Sequence, residues 1–391
     1  MPGSNRGVVL AAWSCAAALA AGGAAHGPRA DEPAAAARLV LRDGAAHRGL
    51  EGRVVIEAVD GGLLVEQADQ RYEVVQPGAV VERRPLPAPP PTTPEELGRR
   101  ILAELPAGFA VHRTRHYVVC FNTSRDYAKW AAGLFERLHE AFLNAWSHAG
   151  LAVHEPTQPL VVVIFADRRD YEAFADRDIG SAADRVVGYY NLLTNRVMTY
   201  DLTATDAAGW RPPGGRRGLD VLAQPESALL VSTLVHEATH QMAFNCGMHR
   251  RLAPVPLWVS EGIATYFETP DLRNRDGWRG LGVVNRTRLK GFRAAHRPGD
   301  IAAVVSADDR FRDADTAVAA YATAWALTWF LVETRKEQFV AYLATLADRQ
   351  PLTEYPAADR IADFVAAFGI APNELEAPLE RHMARVESRR P

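Results

Sequence analysis

Apolar and polar positions change rhythm along the chain. Between residues 38 and 84 the apolar residues come in short runs: Leu39-Val40-Leu41, Arg53-Val54-Val55-Ile56, Leu63-Leu64-Val65-Glu66 and Tyr72-Glu73-Val74-Val75. Asp43-Gly44, Asp60-Gly61-Gly62 and Pro77-Gly78 punctuate them, and glycine turns a chain tightly at little steric cost. The pattern predicts a small all-β, SH3-like module over 38–84. It carries no catalytic constellation and reads as a spacer or interaction module, or as a folding or inhibitory pro-segment. Pro85 to Pro94 follows, dominated by proline. Such a segment favours extended polyproline geometry, so it is expected to be a semi-rigid linker that holds the module apart and lets it fold alone.

Beyond the linker, periods of two and of 3.6 alternate. Glu95 to Glu104 looks helical, and Tyr117 to Phe121 reads as a strand. Ser124 is placed to cap a helix running to about Trp146, with Ala132, Leu134, Leu138, Phe142 and Trp146 on its apolar side. Leu160 to Phe165 is apolar throughout and predicts a buried strand. Val186 to Asn191 and Arg196 to Tyr200 predict a hairpin across Leu193-Thr194-Asn195, and Pro212-Pro213-Gly214-Gly215 predicts a mobile loop. From about Pro225 onward the pattern is mainly helical. The expected class is α+β. Residues 95–391 form the main domain, with an α/β lobe over 95–247 and a helical lobe over 248–391.

Composition narrows the partners. Of the 391 residues, 48% are hydrophobic and 23% charged, ordinary for a globular protein, and the formal net charge is −3. No run of Lys or Arg offers a phosphate-binding surface, which argues against nucleic acid. Residues 1–25 read as a secretory signal: Arg6, an apolar stretch from Val8 to Ala21, then Gly23-Ala24-Ala25 as a small-residue cleavage site. A secreted or periplasmic protein is expected, with no membrane span in the mature chain. Cys120 and Cys246 would then remain. Two cysteines in an oxidising compartment can pair, and spacing alone leaves both states open.

One pentad carries chemistry. Residues 236 to 240 read His-Glu-Ala-Thr-His within Ser227 to Phe244, a run with no Pro or Gly. On a helix His236 and His240 stand one turn apart on one face, where both imidazoles can reach one zinc ion. Glu237 is rotated off that line, free to act as a base. A buried, charged Glu between two His is costly without a partner, and a cation supplies one. Downstream, Pro254 and Pro256 turn the chain into a second apolar helix, Leu257 to Glu268. Glu261 lies among Trp258, Val259, Ile263 and Ala264 as the candidate third ligand. Glu268, two turns on, can orient a ligand imidazole. His249 follows the first helix and reads as a surface residue. His112, His116, His139 and His148 show no ligand spacing.

These segments resemble the gluzincin metallopeptidases of the MA clan. Trp258-Val259-Ser260-Glu261-Gly262-Ile263-Ala264 is similar to the Trp-x-x-Glu-Gly-x-Ala element of the aminopeptidase branch, with Ser260 where Asn is usual. The Gly-x-Met-x-Glu exopeptidase signature is not evident. More narrowly, the two segments resemble a secreted bacterial group carrying domain of unknown function 1570, over roughly residues 100 to 380. The resemblance implies a zincin-like fold and a zinc-dependent peptidase acting on peptide or protein. His236, His240 and Glu261 would be the metal ligands and Glu237 the general base. It also implies a Tyr on a helix past the third ligand as oxyanion donor. Tyr321 fits that place, and Tyr266 is a weaker rival. Two other readings stand beside it: a catalytically silent zinc-containing envelope binding protein of the same fold, and an interaction protein working through residues 38–84.

Overall fold

A computed structural model describes residues 25–26, 36–44, 46–87, 90–203, 228–269 and 282–386. Apart from Ala25, the expected leader lies outside the described residues, as do Ala88 and Pro89 of the Pro-rich segment, the Pro212–Gly215 loop and Ser227. The described residues are mixed α and β, with two sheets among them.

The first sheet contains β1 (Ala25–His26), β2 (Ala36–Asp43), β3 (Ala46–Ala58), β4 (Leu63–Glu66), β5 (Tyr72–Val75) and β6 (Val80–Pro85). Its path is β5-β4-β3-β2-β6, antiparallel throughout, with β1 paired to β3. Gly44, Gly61 and Gly78 take positive φ at the three expected turns. Leu39, Leu41, Leu50, Val54, Leu63, Val65 and Val75 form a separate small core. Strand β6 exceeds the expectation: its Pro85 pairs with Ala37, so the Pro-rich segment starts as the end of an edge strand. Proline is tolerated there because its missing N–H is not needed by a further strand.

The main domain opens with α1 (Pro94–Glu104), where Thr93 caps the helix by accepting from the Glu96 N–H. Then come β7 (Ala110–Arg113), β8 (Tyr117–Phe121), α2 (Arg125–His148), β9 (Leu160–Phe165), α3 (Arg168–Ile179), β10 (Gly188–Asn191) and β11 (Arg196–Tyr200). The sheet order is β10-β11-β9-β8-β7. Its central strands β8, β9 and β11 run parallel, while β10 and β7 are antiparallel edges. Parallel strands lie covered on both faces, and every residue of β9 is buried. Ser124 caps α2 as expected, its hydroxyl accepting from the Tyr127 N–H at 3.2 Å. Asn191 builds the predicted hairpin by accepting from the Leu193 and Thr194 N–H groups.

The rest is helical: α4 (Ala228–Ala243), α5 (Leu257–Phe267), α6 (Arg286–Ala295), α7 (Asp300–Ser306), α8 (Asp309–Arg312), α9 (Ala317–Thr334), α10 (Lys336–Ala347), α11 (Ala357–Phe368) and α12 (Glu376–Val386). Helix α4 packs under β10 and β11 and against α2 and α5. Every residue of α5 is buried, and α9 lies along it. Gly262 sets how close the two approach. A Cβ there would meet Thr328 Oγ1 at 2.1 Å and the Ala324 carbonyl at 2.9 Å. Cys120 and Cys246 are both buried free thiols. Among the described residues no helix is long and apolar enough to cross a membrane.

The β-module is not held apart by the linker. Polar groups of the β4–β5 turn and strand ends are buried against the main domain. Arg251 donates to the Gln70 carbonyl at 2.8 Å, pairs with Glu66 at 3.1 Å and stacks over the Tyr72 ring. Arg196 bridges Asp69 at 2.7 Å and Glu104 at 2.8 Å. Asn195 donates to Gln70 Oε1, and the Tyr72 N–H donates to the Leu193 carbonyl, both at 2.7 Å. A buried ion pair broken from one side leaves an uncompensated charge, at about 3–5 kcal/mol. Arg251→Ala should therefore lower the free energy of urea unfolding by about 3 kcal/mol. A chain beginning at Glu95, which strips the module's partners from Arg251, should lose stability in the same way. Unfolding curves that overlay the parent's would show that the seam contributes nothing.

Candidate metal centre

One turn of α4 sets His236 above His240, and their rings stand at 79° with the Nε2 atoms 3.1 Å apart. Helix α5 brings Glu261 Oε2 to 3.1 Å from His236 Nε2 and 3.4 Å from His240 Nε2. All three residues are buried. Ligands of one tetrahedral zinc, each about 2.0–2.1 Å from the ion, stand roughly 3.4 Å from one another. The three atoms match that spacing, and the steep angle between the rings lets both lone pairs aim at one point. The other carboxylate oxygen, Glu261 Oε1, is buried with no hydrogen-bond partner among the described residues. This donor set fits a divalent cation.

A further carboxylate fixes the first imidazole. Glu268, which caps the C-terminus of α5, accepts from His236 Nδ1–H at 3.0 Å. That hydrogen bond commits the proton to Nδ1 and leaves the Nε2 lone pair for a metal. Glu268 is held in turn by Asn285 Nδ2 and Arg288 Nε, each at 2.8 Å. Asn285 also caps α6 by accepting from the Arg288 N–H. Thus the start of α6 positions a group that positions a candidate ligand.

Electrostatics follow from this enclosure. Burial alone would lift the Glu268 pKa, but Arg288 and His236 outweigh it and hold the carboxylate down at about 2. Glu261 is likewise lowered to about 2, burial being overcome by His240 and His236. Burial disfavours the His236 imidazolium, yet its hydrogen bonds with Glu261 and Glu268 raise its pKa to about 10. Glu237 differs. Burial raises its pKa, and the attraction of His236 and His240 only partly offsets the rise. Its Oε2 accepts from the Tyr190 N–H on edge strand β10 at 2.8 Å.

Tyr321 lies in the first turns of α9, its ring edge-on to Phe311 and faced by the Arg288 guanidinium. Burial, then the negative charge of Glu261, keeps the phenol protonated, and Glu237 and Glu268 add to the effect. It therefore lies within electrostatic reach of the cluster. Tyr266 instead packs between Phe267 and Trp329 and feels Glu333.

His249 is not a surface residue. It is buried against Phe244, and burial pushes its pKa down to about 3. The chain folds back after α4, with the His249 N–H donating to the Ala243 carbonyl. Nothing in the sequence marks that reversal apart from Gly247, which takes φ +89°. Two further His–carboxylate groups also escaped the sequence reading. One is His116, His139 and Glu155; the other is His296, Glu376 and Glu380. Each draws on separate elements, so spacing could not reveal them.

Residues 230–353 match a family described as a protein of unknown function (DUF1570). The match begins within α4, holds α5 and α9, and is narrower than the span of roughly 100 to 380 expected from the sequence. No curated protein matches the chain.

The cluster predicts a pH dependence for metal binding. With its pKa raised to about 10, metal-free His236 holds a proton through neutral pH. A cation at Nε2 must displace that proton, so affinity rises with pH. Calorimetric zinc titrations between pH 6 and 8 should tighten about tenfold per pH unit, with about one proton released per ion. A pH-independent affinity would mean that His236 is already neutral.

Proposed function

We propose that this chain is a secreted, zinc-dependent peptidase with a gluzincin-like catalytic domain and an SH3-like module at its N-terminus. One observation carries the reading: His236, His240 and Glu261 converge at tetrahedral ligand spacing, with the carboxylate of Glu237 on the next helix position.

A zinc ion in this cluster would polarise a scissile carbonyl and lower the pKa of a water molecule beside it. The chain's own groups do the rest. Glu237, buried and with a raised pKa, takes a proton from the attacking water and passes it to the departing amine. The Tyr190 N–H fixes that carboxylate in place. Glu268, backed by Arg288, keeps the His236 ring from turning. The protonated Tyr321 phenol can donate to oxygen as charge develops on the carbonyl. Strand β10 is an antiparallel edge and carries Tyr190 beside Glu237. An extended peptide that adds to such an edge would run past the base, which supports peptides as the substrate class.

Glu237→Gln keeps the shape and removes the base. Zinc-loaded protein should cleave members of a peptide library, and the variant should keep its zinc while turnover falls at least about a hundredfold. Equal turnover by the two would exclude Glu237 as the base. A zinc-loaded parent that cleaves no peptide would favour the silent zinc-containing binding protein of the same fold.

A further inference from the structure

We propose that His296, Glu376 and Glu380 hold a second divalent metal ion, which fastens the C-terminal helix α12 to the corner between α6 and α7. His296 ends α6, its N–H donating to the Phe292 carbonyl and its ring stacked on Phe292 at 4.4 Å. Glu376 and Glu380 stand one turn apart on α12 and face the same side. His296 Nε2 is 2.8 Å from Glu376 Oε2 and 3.7 Å from Glu380 Oε1. Those two distances bracket the roughly 3.4 Å expected between ligands of one tetrahedral zinc.

The polar atoms there are otherwise unspent. The His296 side chain is 6% exposed, yet among the described residues neither ring nitrogen has a hydrogen-bond partner, and neither does Glu376 Oε2. At 2.8 Å that oxygen is close enough to bond but lies off the ring N–H direction. Glu376 is also aimed. Its Oε1 accepts from the Gly299 and Ile301 N–H groups at 3.0 and 3.1 Å, which turns Oε2 toward His296. Asp300, the remaining carboxylate nearby, is committed to Arg310 and to the Arg297 N–H. It lies 3.8 Å from His296 Nδ1 and does not compete for Nε2. One imidazole nitrogen and two carboxylate oxygens suit zinc or a similar first-row divalent ion.

The third His–carboxylate group fails on ring geometry. His116 and His139 stack face to face, centroids 4.0 Å apart and planes 19° from parallel. Lone pairs lie in the ring plane, so two nearly parallel rings cannot both point at one ion between them. The pair at the central site stands at 79° and can.

The test is a zinc titration of the full chain after chelator stripping, followed by calorimetry and elemental analysis. The parent should bind two equivalents, and Glu380→Gln, a change at a half-exposed position, should bind one and keep the parent's peptide cleavage. His296→Gln should also bind one. A chain carrying His240→Ala and Glu261→Ala should still bind one equivalent, and zinc should raise its unfolding temperature until Glu380→Gln is added. That arm stands or falls independently of the central site. A second equivalent that survives both Glu380→Gln and His296→Gln would overturn the assignment. So would a chain lacking His240 and Glu261 that binds no zinc.

Discussion

A carboxylate removed from water stays charged only where positive charge meets it, and Glu261 and Glu268 are buried where α4, α5 and α6 meet. The surrounding structure is arranged around that demand. Glu268 is met by Arg288 and by the Nδ1–H of His236, and Glu261 by the Nε2 edges of two histidines. Nothing else among the described residues meets Glu261 Oε1. Desolvating an ion costs several kcal/mol even after relaxation, so such a cluster persists only if its members are held closely in place. A divalent cation answers the same demand more completely than a proton on His236. The electrostatics of the metal-free cluster and its fitness for a metal are two views of one charge balance.

Helix packing supplies the rigidity. Gly262, next to Glu261, lets α9 press onto α5, and a methyl group there would collide with Thr328 and the Ala324 carbonyl. That approach sets Tyr321 and Arg288 against the same cluster. On the other side the parallel sheet fixes α4, and β10 presents a backbone N–H to Glu237. One face of the cluster is therefore helical and the other is a sheet edge. This division sets rigid helical side chains opposite a backbone N–H of β10.

Much of this was legible in the chain because it is local. Ser124, the β9 run, the hairpin at Asn191 and the His-Glu-Ala-Thr-His turn each follow from neighbours within a few positions. Glu261 was legible too, since a carboxylate in an otherwise apolar helix asks for a partner. What escaped depends on distant pairing. Arg251 meets Glu66 across 185 positions and Arg196 meets Asp69 across 127, so composition suggested a spacer where the fold makes a buried seam. His249 reads as a surface residue because its burial comes from a chain reversal, and Arg288 carries no local signal because its role exists only once α6 packs against Glu268. Strands β6 and β7 were missed because both carry polar residues at exposed edges.

The central claim is that the buried charge of α4 and α5 is balanced by a metal. Anomalous diffraction at the zinc edge, from crystals of full-length protein grown with zinc, tests it most directly. The account predicts a peak about 2.0–2.1 Å from His236 Nε2, His240 Nε2 and a Glu261 oxygen. Density at full zinc loading that shows no peak there, with His236 hydrogen-bonded directly to Glu261, would contradict it.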